Sequence, residues 1–152
     1  MKIDDTDKKI LAELQENGRI TTKELASKLH LTNTPIYERV KKLEKSGIIN
    51  KYSAILNPKE IDRGMIIFLM VQLKSHTKDV VAEFQNAVLS LPEVMEFYYI
   101  SGNYDSLLKV MVKDMEEFKV FLEDKMAGFE HVTHFQSVFV ISGENKTAFD
   151  IK

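Results

Sequence analysis

Apolar positions in the first fifty residues recur at helical intervals, and the breaks between them fall on cap and turn residues. Asp4 to Asp7 offers N-cap candidates, Ile10, Leu11 and Leu14 follow on one helical face, and Asn17-Gly18 reads as a stop. Thr21 and Glu24 then stand at the three-residue spacing of a capping box, in which each side chain satisfies the other's free backbone N–H. Leu25, Ala26 and Leu29 give the short helix that follows a buried stripe. Thr32 can cap a third helix. Pro35 is tolerated in its first turn, where the N–H has no intrahelical acceptor, and Gly47 ends it. A short helix, a tight turn and a longer helix make a helix-turn-helix.

The period changes after "NPKEIDRG", residues 57–64, whose Pro, Gly and charges predict a linker. "MIIFLMVQLK" predicts a strand apolar on both faces. Thr77 can cap a helix carrying Val80, Val81, Phe84, Val88 and Leu91. "LPEVMEFYYIS" and "SLLKVMVK" predict strands on either side of the turn "GNYD". Asp114 can cap a helix with Phe118, Phe121, Leu122 and Met126 on one side, and "HVTHFQSVFVIS" is the last strand. The order β-α-β-β-α-β predicts a ferredoxin-like fold, with both helices on one face of the sheet. The other face ought to be polar, yet Ile66, Phe68 and Met70 alternate with Ile67, Leu69 and Val71. The last strand likewise sets Phe135, Phe139 and Ile141 against Val132, Val138 and Val140. A second copy of the chain is the simplest cover for the exposed face, predicting an isologous homodimer.

On a helical wheel for the third helix, Ile36, Val40 and Leu43 share a narrow arc. Thr34, Glu38, Lys41 and Lys45 lie opposite, Tyr37 and Lys42 flank them, and Arg39 sits near the boundary. Lysines on an outer helix face are usually just solvated. Here the preceding short helix and turn favour a recognition helix instead. Short polar groups and Tyr37 would meet base edges, and cations would meet phosphates. "IINKYSAILNP" alternates, predicting a short strand beside this helix as a wing, with Lys51 on its polar edge. The expected DNA-binding residues are Thr34, Tyr37, Glu38, Arg39, Lys41, Lys42, Lys45 and Lys51.

Charge sharpens the division into halves. The net charge is −2, but residues 1–60 hold 12 Lys+Arg and 9 Asp+Glu, a net +3, while residues 61–152 hold 9 and 14, a net −5. The absence of cysteine excludes disulfides, thiol nucleophiles and Cys-type zinc sites. The start MKIDDTDKKI has no apolar core of a signal peptide, and the longest apolar run, Met65 to Val71, is far below the ~20 residues that span a bilayer. A cytoplasmic protein with no membrane partner is expected. His131 and His134 are three apart on a strand, hence on opposite faces and a poor metal pair. Neither a Ser/His/Asp set, a phosphate loop nor HExxH occurs, so no enzyme activity and no cofactor are expected. Residues 146–152 read as a polar tail. A small-molecule enzyme on a ferredoxin-like scaffold is the competing class, and the missing acid/base cluster weighs against it.

The run "DDTDKKILAELQENGRITTKELASKLHLTNTPIYERVKKLEKSGIINKYSAILNP" resembles the DNA-binding half of the Lrp/AsnC family, the feast/famine transcriptional regulators. Its pieces LQ-x-x-GR, ELA, LT-x-x-P and RVK-x-LE-x-x-GII-x-x-Y are moderate signals singly and strong in this order. Glu38 departs from the basic or neutral residue that many members carry there. It can accept from a cytosine amine, favour the helix dipole, or pair with Lys41 or Lys42. The second half is similar to the family's effector-binding domain, so the likeness covers nearly the whole chain. It implies sheet-to-sheet dimers that often assemble further, and an effector pocket lined by a Gly-x-Tyr-Asp segment, matched here by Gly102, Tyr104 and Asp105.

By itself Gly102-Asn103 is a hairpin turn, and most such turns do nothing else. Open backbone N–H groups could nevertheless hold a carboxylate, and Asp105 an ammonium, the two charges of a free amino acid. Thr133, Gln136 and Ser137 on the last strand could line the same space. The expectation is an α+β protein. Residues 1–56 form a winged helix-turn-helix domain, 57–64 a linker, and 65–152 a ferredoxin-like effector and oligomerisation domain. The expected function is a sequence-specific regulator binding double-stranded DNA and responding to a small molecule, an amino acid by preference. The alternative is an architectural DNA-binding protein that needs no ligand.

Overall fold

The computed structural model describes residues 2–151. Met1 and Lys152, the outer ends of the N-terminal and tail readings, lie outside the described residues. The chain divides into two compact units. One runs up to Ile55 and includes the C-terminal segment from Glu144, and the other is Leu56–Gly143.

The first unit is built on α1 (Asp5–Glu16), α2 (Thr22–Lys28) and α3 (Asn33–Lys45). Asp4 caps α1 through a capping box with Asp7, and Thr21 caps α2 through one with Glu24. Thr32 occupies the N-cap of α3, but its side chain makes no capping hydrogen bond. Gly47 at φ +75° ends α3, with its N–H on the Glu44 carbonyl. His30 takes the left-handed position in the turn between α2 and α3 at φ 54°, where glycine would carry less strain. Ile10, Leu11, Leu25, Ala26, Ile36, Val40 and Leu43 form the core, as the helical spacing predicts.

Two expectations fail here. Residues 48–57 form no strand, so the predicted wing strand is an irregular segment. Its alternation is read instead by packing: Ile49 lies against the helical core. The tail is not a free polar end of the second domain. The Gln15 side chain brackets the Phe149 backbone, donating to its carbonyl (3.1 Å) and accepting from its N–H (2.6 Å), and Ile151 packs on the core of this unit.

The second unit has β1 (Met65–Leu73), α4 (Lys78–Leu89), β2 (Val94–Tyr99), β3 (Ser106–Val112), α5 (Met115–Val120, continuing as a π turn over Phe121–Met126) and β4 (Val132–Phe139). The sheet is antiparallel in the order β2-β3-β1-β4, the ferredoxin-like arrangement. Ile67, Leu69, Val71 and Leu73 face the helices and pack with Phe84, Val88, Phe118 and Phe121. The residues between them, Ile66, Phe68 and Met70, therefore face away.

Residues 57–64 are not a free linker. Pro58–Ile61 is a 3-10 turn with Asn57 Oδ1 accepting from the Lys59 N–H, and Arg63 pairs with Glu117 at 2.6 Å. Asp114 caps α5 by accepting from the Glu117 N–H, whereas Thr77 makes no side-chain bond at α4. The β1–β4 register shifts at Gln72/Leu73, placing Val132 opposite Leu73 and against the core. Simple alternation had put Val132 on the face opposite Phe135.

Candidate functional site

The outward face of α3 follows from its buried stripe. Ile36 and Leu43 are fully buried, and Thr34, Tyr37, Glu38, Lys41, Lys42 and Lys45 are all exposed. Among the described residues Glu38, Lys42, Lys45 and Lys51 take part in no ion pair. Of the three roles open to Glu38, pairing with Lys41 or Lys42 is thus not made. Lys41 is engaged: Glu44 lies 3.0 Å from its Nζ, and the Tyr37 ring centroid lies 5.8 Å away. Glu44 also accepts from the Tyr52 hydroxyl at 3.1 Å. The Lys41 ammonium holds the Glu44 carboxyl below its usual range, with Tyr52 adding to the effect. An exposed pair of this kind is weak, so Lys41 can exchange Glu44 for another anion.

Arg39, expected to reach a phosphate, is engaged within the domain. Its Nη1 donates to Asp4 Oδ2 and to Asp7 Oδ1, each at 2.7 Å, so its charge is directed into the N-terminus of α1. These two carboxylates raise the pKa of Arg39 further. The Asp4 carboxyl is lowered, first by the Asp7 backbone N–H and then by Arg39.

In the second unit the turn before β3 places Gly102 at φ +135°, a conformation that side chains strain. The turn is closed below by the Ile100 N–H on the Asp105 carbonyl (2.8 Å) and by the Asp105 N–H on the Val71 carbonyl (2.9 Å). The backbone N–H groups of Gly102, Asn103 and Tyr104 have no backbone acceptor among the described residues.

The Asp105 carboxylate, with only 14% of its side chain exposed, accepts from the Leu73 N–H (2.8 Å) through one oxygen and faces His76 Nδ1 (3.0 Å) through the other. Tyr104 donates to Gln136 Oε1 at 2.6 Å and stacks on His134, with centroids 6.1 Å apart. The structure thus brings Tyr104 and Gln136 together, across strands far apart in sequence. It does not bring in Ser137, which sits opposite Leu69 on the helix-covered side of the sheet. The Thr133 hydroxyl is already spent on the Gln72 carbonyl at 3.1 Å. A residue beside the turn that sequence alone did not single out is His76; Ser106, fully buried opposite Val71 on the helix-covered side, lies outside this site. His76 carries no local signal, because its contact depends on how the β1–α4 loop returns to the turn.

Comparison with known proteins follows this division. Residues 3–50 match the winged helix-turn-helix DNA-binding family, and residues 66–147 match the Lrp/AsnC ligand binding domain. The leucine-responsive regulatory protein of Haemophilus influenzae is 37% identical over 147 residues, covering 97% of this chain and 89% of its own. That of Escherichia coli K12 is 39% identical over 124 residues, covering 82% and 76%. A Neisseria meningitidis transcriptional regulator, solved as a complex with L-Met, superposes with a TM-score of 0.89 at 36% identity, covering 96% of this chain and 94% of its own. An AsnC family regulator from Agrobacterium tumefaciens gives 0.90 at 32% identity, covering 97% and 95%. Among the described residues no helix is long and apolar enough to cross a membrane. A DNA-binding domain and a ligand-binding domain matched in this order, with relatives alike along nearly the whole chain, place it among regulators rather than enzymes: it belongs to the Lrp/AsnC family of ligand-responsive transcriptional regulators.

Proposed function

We propose that this regulator senses a free amino acid at the Gly102–Asp105 turn and transmits its presence to DNA through a homodimer. The observation that carries the reading is the turn itself. It presents the unpaired N–H groups of Gly102, Asn103 and Tyr104 beside a shielded carboxylate, Asp105. A carboxylate and an ammonium on one small molecule match these two features. Asp105 already holds Leu73 N–H and His76, but an ionised carboxylate accepts about four hydrogen bonds, so it can take a further donor. Gln136, held by Tyr104, closes one side. The L-Met complex of the Neisseria meningitidis relative supports an effector of this class.

On the DNA side, Thr34, Tyr37, Glu38 and Lys41 are placed to face the major groove, and Lys42, Lys45 and Lys51 to meet phosphates. Two copies joined through the open sheet face set the separation of two reading heads, and further assembly of dimers changes it. The cytoplasm is where this partner and this effector meet.

An effector acts only through its differential affinity for two assemblies, and coupling of this kind is typically about 1–3 kcal/mol. Reciprocity then requires DNA to change effector affinity by the same factor. The experiment is a calorimetric titration of amino acids, L-methionine and L-leucine first, into the protein with and without a duplex it has selected. One amino acid is expected to bind with an affinity that shifts several-fold between the two. Equal affinities would separate ligand binding from DNA binding. No binding by any amino acid would favour a ligand-independent architectural role.

A further inference from the structure

Arg39 lies on α3, about 60° around the wheel from the centre of the buried stripe and about 120° from the centre of the outward face. Its guanidinium turns away from that outward face. Both hydrogens of Nη1 are used on α1, one on Asp4 Oδ2 and one on Asp7 Oδ1. Asp7 is itself nearly inaccessible, with 5% of its surface exposed.

The reason lies in an unusual capping box. Such boxes commonly pair a neutral hydroxyl with one acid, as Thr21 and Glu24 do in α2. In α1 both members are acids. Asp4 Oδ1 accepts from the Asp7 N–H at 2.9 Å, and Asp7 Oδ2 accepts from the Asp4 N–H at 3.1 Å. Two carboxylates this close repel each other, and the one on Asp7 is out of water. The Arg39 guanidinium meets the remaining oxygen of each. The cap of α1 and the orientation of α3 therefore depend on the same three side chains. α1 and α3 share the apolar core through Ile10, Leu11, Ile36, Val40 and Leu43, and this ion cluster adds a polar tie between α3 and the N-terminus of α1.

We infer that Arg39 is a positioning residue: clamped by Asp4 and Asp7, it fixes the angle at which α3 is offered to DNA and neutralises no phosphate. The inference rests on α3 being the helix that reads DNA. It also separates Arg39 from Lys42 and Lys45, which have no such partners among the described residues.

The test uses the full-length protein and a duplex that the unmodified protein selects from a random pool, with poly(dI-dC) as non-specific competitor. Arg39→Ala and Asp7→Asn are compared for the ratio of specific to non-specific affinity, and for the slope of affinity against salt concentration. Both variants are expected to lose specificity on the order of tenfold. Arg39→Ala should keep the salt slope of the unmodified protein, whereas loss of a phosphate contact would reduce it by roughly one unit. Asp7→Asn is the sharper arm. It removes a negative charge, so a purely electrostatic view predicts tighter DNA binding, and a clamp predicts weaker specific binding.

A slope reduced by about one in Arg39→Ala, with Asp7→Asn binding as well as or better than the unmodified protein, would overturn the inference in favour of a phosphate contact. Unchanged specificity in folded variants of lower stability would overturn it in favour of a mere prop. Should either variant fail to fold, Arg39→Lys and Asp4→Asn, which each leave part of the cluster, decide by the same ratio, and an unchanged ratio in both rejects the clamp. If the unmodified protein selects no duplex, the reading of α3 fails rather than the clamp.

Discussion

Lys42 and Lys45 stand on the outer face of α3, exposed and outside any ion pair among the described residues. Nothing in the fold needs their charge, so their removal should be nearly silent for stability, as surface substitutions usually are. For DNA the expectation is different. Each phosphate contact contributes about 0.9 to the salt slope, so Lys42→Ala with Lys45→Ala should flatten it by roughly two units and weaken binding to all sequences alike. An unchanged slope in a filter-binding series from low to physiological salt would mean that α3 does not dock with these lysines on the backbone. Lys41 is a less clean probe, since Glu44 and the Tyr37 ring already hold it. The same lesson applies at Asp105. A residue type suited to an ammonium was legible in the sequence, but its two existing partners, the Leu73 N–H and His76, were not.

At the scale of elements, local pattern and tertiary packing disagree in two places. The alternation in residues 49–54 predicts a strand, yet a strand needs a neighbour to hydrogen-bond, and the described residues of this unit hold none. Residues 146–151 read as a polar tail, yet they include Ala148, Phe149 and Ile151, and they dock. The tail supplies Ile151 to the helical core and two hydrogen bonds through Gln15. Such bonds contribute about 0.5–1.5 kcal/mol each, and partial burial of one apolar side chain about as much again. Ending the chain after Lys146 should therefore destabilise the helical unit by about 1.5–4.5 kcal/mol, and Gln15→Ala, which removes both bonds, by about 1–3 kcal/mol. Amide exchange in α1, measured by mass spectrometry, should accelerate correspondingly. Unaltered exchange in both variants would show that the tail merely rests on the surface.

For the whole molecule, the open face of the sheet is the feature with the largest consequence. Ile66, Phe68, Met70, Leu107 and Met111 lie on the side away from α4 and α5, around a Lys109–Glu96 ion pair (2.9 Å) opposite Phe68, with Val138 and Tyr98 exposed beside them. An apolar sheet face of this extent calls for a cover, and an isologous contact would bury it twice over in one step. Phe68→Asp places a charge at its middle in both subunits, so sedimentation velocity at micromolar concentration should show the dimer lost and the fold retained. Phe139→Asp should not behave in this way. Phe139 is on the helix side, edge-to-face with Phe118 at 5.5 Å, and its replacement should lower the stability of the unit. A monomeric unmodified protein, or a Phe68→Asp variant that remains dimeric, would exclude the open face as the interface.

By itself the sequence determined the three N-terminal helices, the β-α-β-β-α-β elements and their order, but not the missing wing strand or the place of the tail. Those features are written in short-range regularities: Ile36, Val40 and Leu43 at helical spacing, the Thr21–Glu24 box, and the apolar run of β1. It also singled out Gly102, whose conformation few other residues accept. What only the tertiary structure decided are the contacts between positions distant along the chain. The shift at Gln72/Leu73 moved Val132 to the core. The fold brought Tyr104 to Gln136 and His76 to Asp105, and it drew Arg39 into the cap of α1. The physical reason is that helical and strand periods fix which face a residue occupies, whereas its partner depends on register, loop path and competing charges. Those are settled only when the whole chain has packed.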